Sequence, residues 1–410
     1  MQPKRLLVIQ LLVLIYAITV MSPTQGWAAD TEIVLNTFTG GTDGSEPYSN
    51  LIMDSAGNLY GTTTLGGGSA NCPSGCGTAF KLTPVSGGWQ STIIQVFDGA
   101  TDGSQPSALI LDPAGDLYGT TRHGGFYGYG TVFRLTPVSG GGWQETVLHR
   151  FTGGPDGGSP FAGLVSDAFG NLYGTTSAGG NSFGTIFKLT LVFGIWQESV
   201  LYTFTGGKDG GNPLAQLTFD ATATNLYGTT YAGGHYNNGT VFRLAYTSGG
   251  SWLESVLHSF SGGGDGGNPI GGLTFDAAGN LYGTTVIGGG HGYGNVFQLG
   301  LNSRGRLHET VLYAFTGRKK DGGSPYANVV FDTSGNLYGT TTIGGGGGYG
   351  TVFELILSGG VWSFSTLHNF MSGADGAYPF GGLTFAGGNL YGSTSNGGLS
   401  NDGIVFEIVP

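Results

Sequence analysis

The sequence predicts an all-β fold, a seven-bladed β-propeller of four-stranded antiparallel blades, and three observations point there. The phrase "NLYGTT" returns in near copies along the chain, with tyrosines at Tyr60, Tyr118, Tyr173, Tyr227, Tyr282, Tyr338 and Tyr391, in steps of 53 to 58 residues. A second phrase, "GTVF", follows each copy and ends at Phe80, Phe133, Phe187, Phe242, Phe297, Phe353 and Phe406. A third, of the type "ETVLHRFTGG", carries Phe38, Phe97, Phe151, Phe204, Phe260, Phe315 and Phe370, each followed by an Asp-Gly pair and then by proline. A unit of this length with four short strands is the signature of one propeller blade.

Each unit supplies those strands. In the fifth they read "GGLTFD", "LYGTT", "GNVFQL" and "LHETVLYAF". All are short, rich in Val, Thr, Leu and aromatic residues, and bounded by Gly, Asn, Asp or Pro. "AAGN" joins the first two as a hairpin turn. No helical periodicity follows the N-terminal segment. The order of phrases predicts ring closure. "TEIVLNTF" is a fourth-strand phrase with no blade of its own, and "GIVFEIVP" is a third-strand phrase with no fourth after it. Pairing them completes the seventh blade and removes open sheet edges.

Side chains alternate along a strand. Leu59 and Gly61 are therefore expected to face one neighbouring blade, and Tyr60 and Thr62 the other. Each phrase tyrosine is expected to fill the hollow left by a glycine of the adjacent blade. Small residues recur in the first strand (Ser49, Ser107, Ala162, Ala215, Gly271, Ala327 and Gly381), as crowding around an axis requires. Trp89, Trp143, Trp196, Trp252 and Trp362 share one fourth-strand position and are expected to pack the outer strands.

The start of the chain reads differently. Lys4 and Arg5 precede an apolar run from Leu6 to Met21 and a small-residue exit. This is the pattern of a signal peptide, residues 1–28, cleaved near Ala28. Residues 29–410 are then one propeller domain, secreted or periplasmic, monomeric and not membrane-bound. Charged residues make up only 10% and the net charge is −11, which opposes nucleic acid and anionic lipid as partners. Glycine supplies 84 of 410 residues, but periodically, unlike low-complexity sequence. Cys72 and Cys76, in "NCPSGC", are expected to form a local disulfide in an oxidising compartment. The small loop limits its gain to about 2 kcal/mol.

The phrases "NLYGTT…GG…GTVF…FTGG.DG..P", repeated in fixed order over the whole mature chain, resemble the GloVer tandem-repeat family of exported bacterial proteins. The resemblance implies export and repeat architecture. It supplies no activity and no catalytic residues. Members often carry a C-terminal sorting anchor; none is expected here, where Pro410 follows a strand.

A residue present in every blade is expected to serve the joints, so a functional site should use residues that differ. The variable loops between second and third strands offer Arg122, His123, Phe126, Tyr127 and Tyr129 in blade two. Blade four offers Tyr231, His235 and Tyr236. Blades five and six add His291, Tyr293 and Tyr349. Aromatic rings with polar tips among glycines form an adaptable contact surface, and flat rings suit sugars. The competing reading is that these tyrosines merely cover glycine-rich loops. Metals and cofactors are not expected. The repeated Asp-Gly aspartates read as turn residues, since packed sheets lie about 10 Å apart while oxygens sharing one Ca²⁺ lie within about 5 Å. His149, His258 and His368 share a fourth-strand slot with Tyr202, Tyr313, Gln95 and Asn36, too tolerant for catalysis. Glu46 and Asp402 are unrepeated acids on the loop face, with nothing to pair them for glycosidase chemistry. The expected function is a non-catalytic binding or scaffold module for polysaccharide or a surface protein. A polysaccharide hydrolase or lyase, or a purely structural surface protein, are the alternatives.

Overall fold

A computed structural model describes residues 31–302 and 304–410. The segment read as a signal peptide lies outside them. Seven antiparallel sheets form, each hydrogen-bonded in the order of its strands from the axis outward. Blade one comprises Ile52–Met53, Leu59–Thr63, Thr78–Val85 and Gly88–Val96. Blade seven combines Thr384–Ala386, Asn389–Thr394 and Ile404–Val409 with the first strand of the chain, Thr31–Thr37. That closing pair runs from Thr31 opposite Val409 to Thr37 opposite Ile404. The ring is therefore sealed as the phrase order predicts. Among the described residues the one helix is a single 3₁₀ turn at Gly373–Asp375.

Seven apolar clusters lie one at each joint. The fourth-strand Phe of one blade meets the third-strand Phe of the next edge-on. Phe38–Phe80, Phe204–Phe242 and Phe370–Phe406 have centroids 5.1, 5.3 and 5.2 Å apart. Burying each ring fully contributes roughly 1.5–3 kcal/mol, and the edge-to-face geometry about 0.5–1.5 kcal/mol more.

The phrase "LYGTT" has a use for every residue. Leu59 is buried against blade seven, and Tyr60 packs towards blade two. Tyr60 meets Trp143 of that blade at 6.0 Å, as Tyr118 meets Trp196 and Tyr282 meets Trp362. Its hydroxyl donates to Asp54, 3.0 Å away in the same hairpin. The first threonine ties blades together: Thr120 and Thr284 donate to the carbonyls of Ala162 and Ala327, in the segment leading to the inner strand of the next blade, at 2.9 and 2.7 Å. The second pairs with the third strand of its own blade, Thr63 with Thr78 at 2.9 Å.

Glycine 61 corrects the expected joint. Its partner across the sheet is Phe80, and a Cβ on Gly61 would stand 2.6 Å from the Phe80 ring and 2.7 Å from Leu51. The hollow is filled by a phenylalanine of the same blade, not by a neighbour's tyrosine. Cross-strand partners stand close enough for a large ring to lie over a small one. The tyrosine finds tryptophan instead. Crowding at the axis holds as expected: a Cβ on Gly271 would lie 2.5 Å from the Ala327 backbone.

Every fourth strand carries a bulge at the same place, between Val147 and His149 in blade two and between Val34 and Asn36 in blade seven. One extra residue turns the strand locally. The slot after it then reaches the following Asp turn: Tyr202 donates to Asp209 at 3.0 Å and Gln95 to Asp102 at 3.2 Å. The turn aspartate also accepts from the backbone N–H and hydroxyl four residues earlier, as Asp43 does from Thr39 at 2.9 and 2.6 Å. That is the role in which the sequence placed it.

Candidate binding site at the mouth of the channel

After each Asp-Gly turn the chain must swing to the axis. The residue before the proline adopts a left-handed conformation in all seven blades: Glu46, Gln105, Ser159, Asn212, Asn268, Ser324 and Tyr378 have φ between 51° and 58°. Non-glycine residues rarely do so. The strain is held by paired backbone groups; Ser159, for example, donates its N–H to the Tyr129 carbonyl at 2.8 Å and accepts from Ser177 at 3.1 Å. The proline then fixes the descent, and the following residue projects at the mouth of the channel.

A cavity of about 600 Å³ opens there, lined from all seven blades. Tyr48, Phe161, Leu214, Ile270, Tyr326 and Phe380 occupy the position after proline in six of them. Tyr48 and Phe380 stack at 4.5 Å, and Tyr326 meets Phe380 edge-on at 5.0 Å. Blade two departs from this pattern. Only Ser107 and Ala108 separate its Pro106 from Leu109, one residue fewer than between Pro160 and Leu164. Its Ser104–Pro106 segment instead pairs as an extra strand with Leu117–His123. Arg122 lines the cavity there, its guanidinium 4.9 Å from the centre of the Phe161 ring. Its Nε is buried and makes no hydrogen bond, and burial lowers its pKa.

Amides complete the wall. Asn50 of blade one donates to Asn328 of blade six at 3.0 Å, past Gly382 of blade seven, and Gln216 donates to the Leu164 carbonyl at 2.6 Å. Glu46 is the one carboxylate among the lining residues, and burial, then Asp402, raises its pKa. Asp402 itself accepts from Ser45 at 2.7 Å.

A model of the Gloeobacter/Verrucomicrobia repeat matches the chain over residues 17–242, 144–318 and 221–410. The chain belongs to this repeat family. No curated protein matches it. Among solved structures, a puromycin-hydrolyzing peptidase of Mycobacterium tuberculosis is 12% identical with a TM-score of 0.51, over 88% of this chain and 52% of that one. The extracellular domain of a B. thetaiotaomicron protein described as a one component system is 14% identical, TM-score 0.51, over 92% and 42%. The chain thus spans about half of each. At such identities the likeness is one of fold.

In this member of the repeat family the loop residues lie apart from the cavity, except Arg122. His123 is exposed beside it, yet partial desolvation of its imidazole, and then Arg122, lower its pKa. Phe126 and Tyr127 touch edge-on at 5.0 Å and are 78% and 52% exposed. His235 and Tyr236 form a similar exposed pair at 4.7 Å. Tyr129 and Tyr293 lie over the turn glycines Gly153 and Gly317, within 2.5 Å of where a Cβ would stand. Tyr349 packs against Tyr378 at 5.6 Å. Tyr231 is 39% exposed and His291 is exposed. His123, His235 and His291 do not form a metal-sized group among the described residues. Cys72 and Cys76 are bonded to each other, and both sulfurs cover Gly99.

The post-proline ring was not singled out from sequence. Its signal was present as one slot of fixed position and changing identity, with a deletion in one blade.

Proposed function

We propose that this protein is an exported, non-catalytic binding module that takes a carbohydrate end into the mouth of its channel. The supporting observation is the post-proline ring, in which a sevenfold position carries aromatic faces in four blades and yields to Arg122 in a fifth. Tyr48, Phe161, Tyr326 and Phe380 offer flat faces to sugar rings. Asn50, Gln216 and Asn328 offer amides to hydroxyls. A single half-buried cation with an unpartnered Nε favours a sugar bearing a carboxylate or sulfate. In this reading Tyr127, Tyr231, Tyr236, His235 and His291 extend the contact outward along the polymer, with Tyr129, Tyr293 and Tyr349 bracing their loops. One lining carboxylate is short of the pair that glycoside hydrolysis uses, which supports binding over turnover.

The test is retention of residues 29–410 on a broad polysaccharide array, with product release followed in the same wells. Retention of acidic polysaccharides without release, lost in Phe161→Ala and Arg122→Gln, is the expected result. Release of shortened chains would replace this reading with a hydrolase or lyase. Retention unaffected by both substitutions would move the site to the outer loops.

A further inference from the structure

The outer joint between blades six and seven holds a group that neither the propeller scaffold nor the mouth uses. Glu32 stands on the closing strand, His368 on the outer strand of blade six, and Asp375 in the turn between the two blades. One donor atom from each lies within 4.8 Å of the others, and His368 Nε2 is 2.9 Å from Asp375 Oδ1. We propose that Glu32, His368 and Asp375 form a site for a divalent transition cation, best fitted by zinc, that staples the closing strand to blade six.

The gathering of the three donors carries the proposal: among the described residues no other histidine comes this close to two carboxylates. Glu32 Oε1 is shut off from solvent and makes no hydrogen bond, and His368 Nε2 meets only Asp375 Oδ1. Buried polar atoms are seldom left so. A bound dication supplies the partner that Glu32 Oε1 lacks.

The neighbouring joints serve as internal comparisons. His149–Asp156 with Glu198, and His258–Asp265 with Glu309, repeat the residue types and the unpartnered Nε2 and Oε1 atoms, but their donors do not gather within 4.8 Å. Their His–Asp distances are longer, 3.5 and 3.4 Å. The hydroxyls of Thr152 and Ser261 also donate to their aspartates. In the closing joint that position is Met371, which supplies only its N–H, to Asp375 Oδ2. Asp375 Oδ1 is thus left facing His368. At two further joints Tyr202 and Tyr313 donate hydroxyl protons to Asp209 and Asp321, at 3.0 and 3.1 Å, and need no ion.

One imidazole nitrogen with two carboxylates suits zinc, with water as fourth ligand. Calcium and magnesium prefer oxygen alone. Zinc bonds of about 2.0–2.2 Å require the donors to close by about an ångström, a movement within reach of the Glu32 side chain. An ion shared by Glu32 and His368 links the first strand of the chain to a blade it does not hydrogen-bond.

The test is titration of untagged residues 29–410 with ZnCl₂ against a chromophoric zinc indicator, with melting followed in parallel. One equivalent, with a melting temperature that rises with zinc and not with calcium, is expected. His368→Gln and Glu32→Ser should each remove that equivalent. Both copy residues found at the same positions of blade one, Gln95 and Ser91, so the variants should fold, and melting in chelator checks this. No zinc binding at micromolar concentration would overturn the proposal. So would an equivalent that survives both substitutions, or one lost in His149→Gln or His258→Gln instead.

Discussion

The joints between blades and the mouth of the channel are cut from the same repeats, yet they follow opposite rules. At the joints one position carries one residue type around the ring. Phe, Tyr, Gly and Thr recur because seven neighbours meet at nearly equal distance and angle, and the same shape must fit each time. At the mouth one position carries Tyr48, Phe161, Leu214, Ile270, Tyr326 or Phe380. The backbone path that delivers it is as regular as any joint, down to the left-handed residue before each proline. Regular delivery of irregular side chains separates what holds the ring from what the ring presents.

Substitutions can break or sharpen that separation. The largest effect is expected at a joint. Phe242→Ala removes a ring with no exposure and should cost about 3–5 kcal/mol, read by denaturant unfolding. A loss as small as that of a surface substitution would show that the joints tolerate cavities. Gly228→Val comes next. Its Cβ would stand 2.7 Å from Phe242 and 2.9 Å from Leu217, so overpacking should cost about 1–3 kcal/mol; an unchanged melting temperature would refute the glycine–phenylalanine fit. Thr284→Val keeps the shape but loses the 2.7 Å bond to the Ala327 carbonyl, for about 1 kcal/mol.

A smaller, pH-dependent effect belongs to the outer strands. Burial, and then the aspartate of the preceding turn, pushes Glu198, Glu254 and Glu309 up to about 7 from an ordinary 4.5. The folded state therefore holds these protons more tightly than the unfolded chain. The stability this adds is complete below 4.5 and is lost as pH rises to 7 and beyond. Glu254→Gln should flatten melting temperature against pH across that window; an unaltered slope would argue against its buried proton. Smallest in stability is Arg122→Gln, expected within about 0.5 kcal/mol of the parent while weakening ligand retention at least tenfold. Equal loss of stability and binding would make Arg122 part of the scaffold.

The ring was legible in the sequence because a joint repeated seven times writes itself seven times. Strand alternation also placed Leu59 and Tyr60 on opposite faces correctly. Which neighbour covers Gly61 was not legible. Alternation assigns a face, whereas the covering ring comes from Phe80, brought opposite by the register of the third strand. The slot of His149 and Tyr202 looked merely tolerant because its purpose, reaching the turn aspartate, depends on the bulge beside it. The mouth was obscured for a related reason. Its residues sit in a connection, and only the turn at Glu46 and its counterparts directs them to the axis.

The closing pair has a mechanical meaning. Thr31 lies directly opposite Val409, so the two ends of the described chain leave the ring side by side. Its hydrogen bonds run across the strands rather than along them. Tension applied between the two ends would load these bonds one at a time, as in peeling tape, instead of all together. The ring would open at low force from this seam, with the six continuous blades released only afterwards.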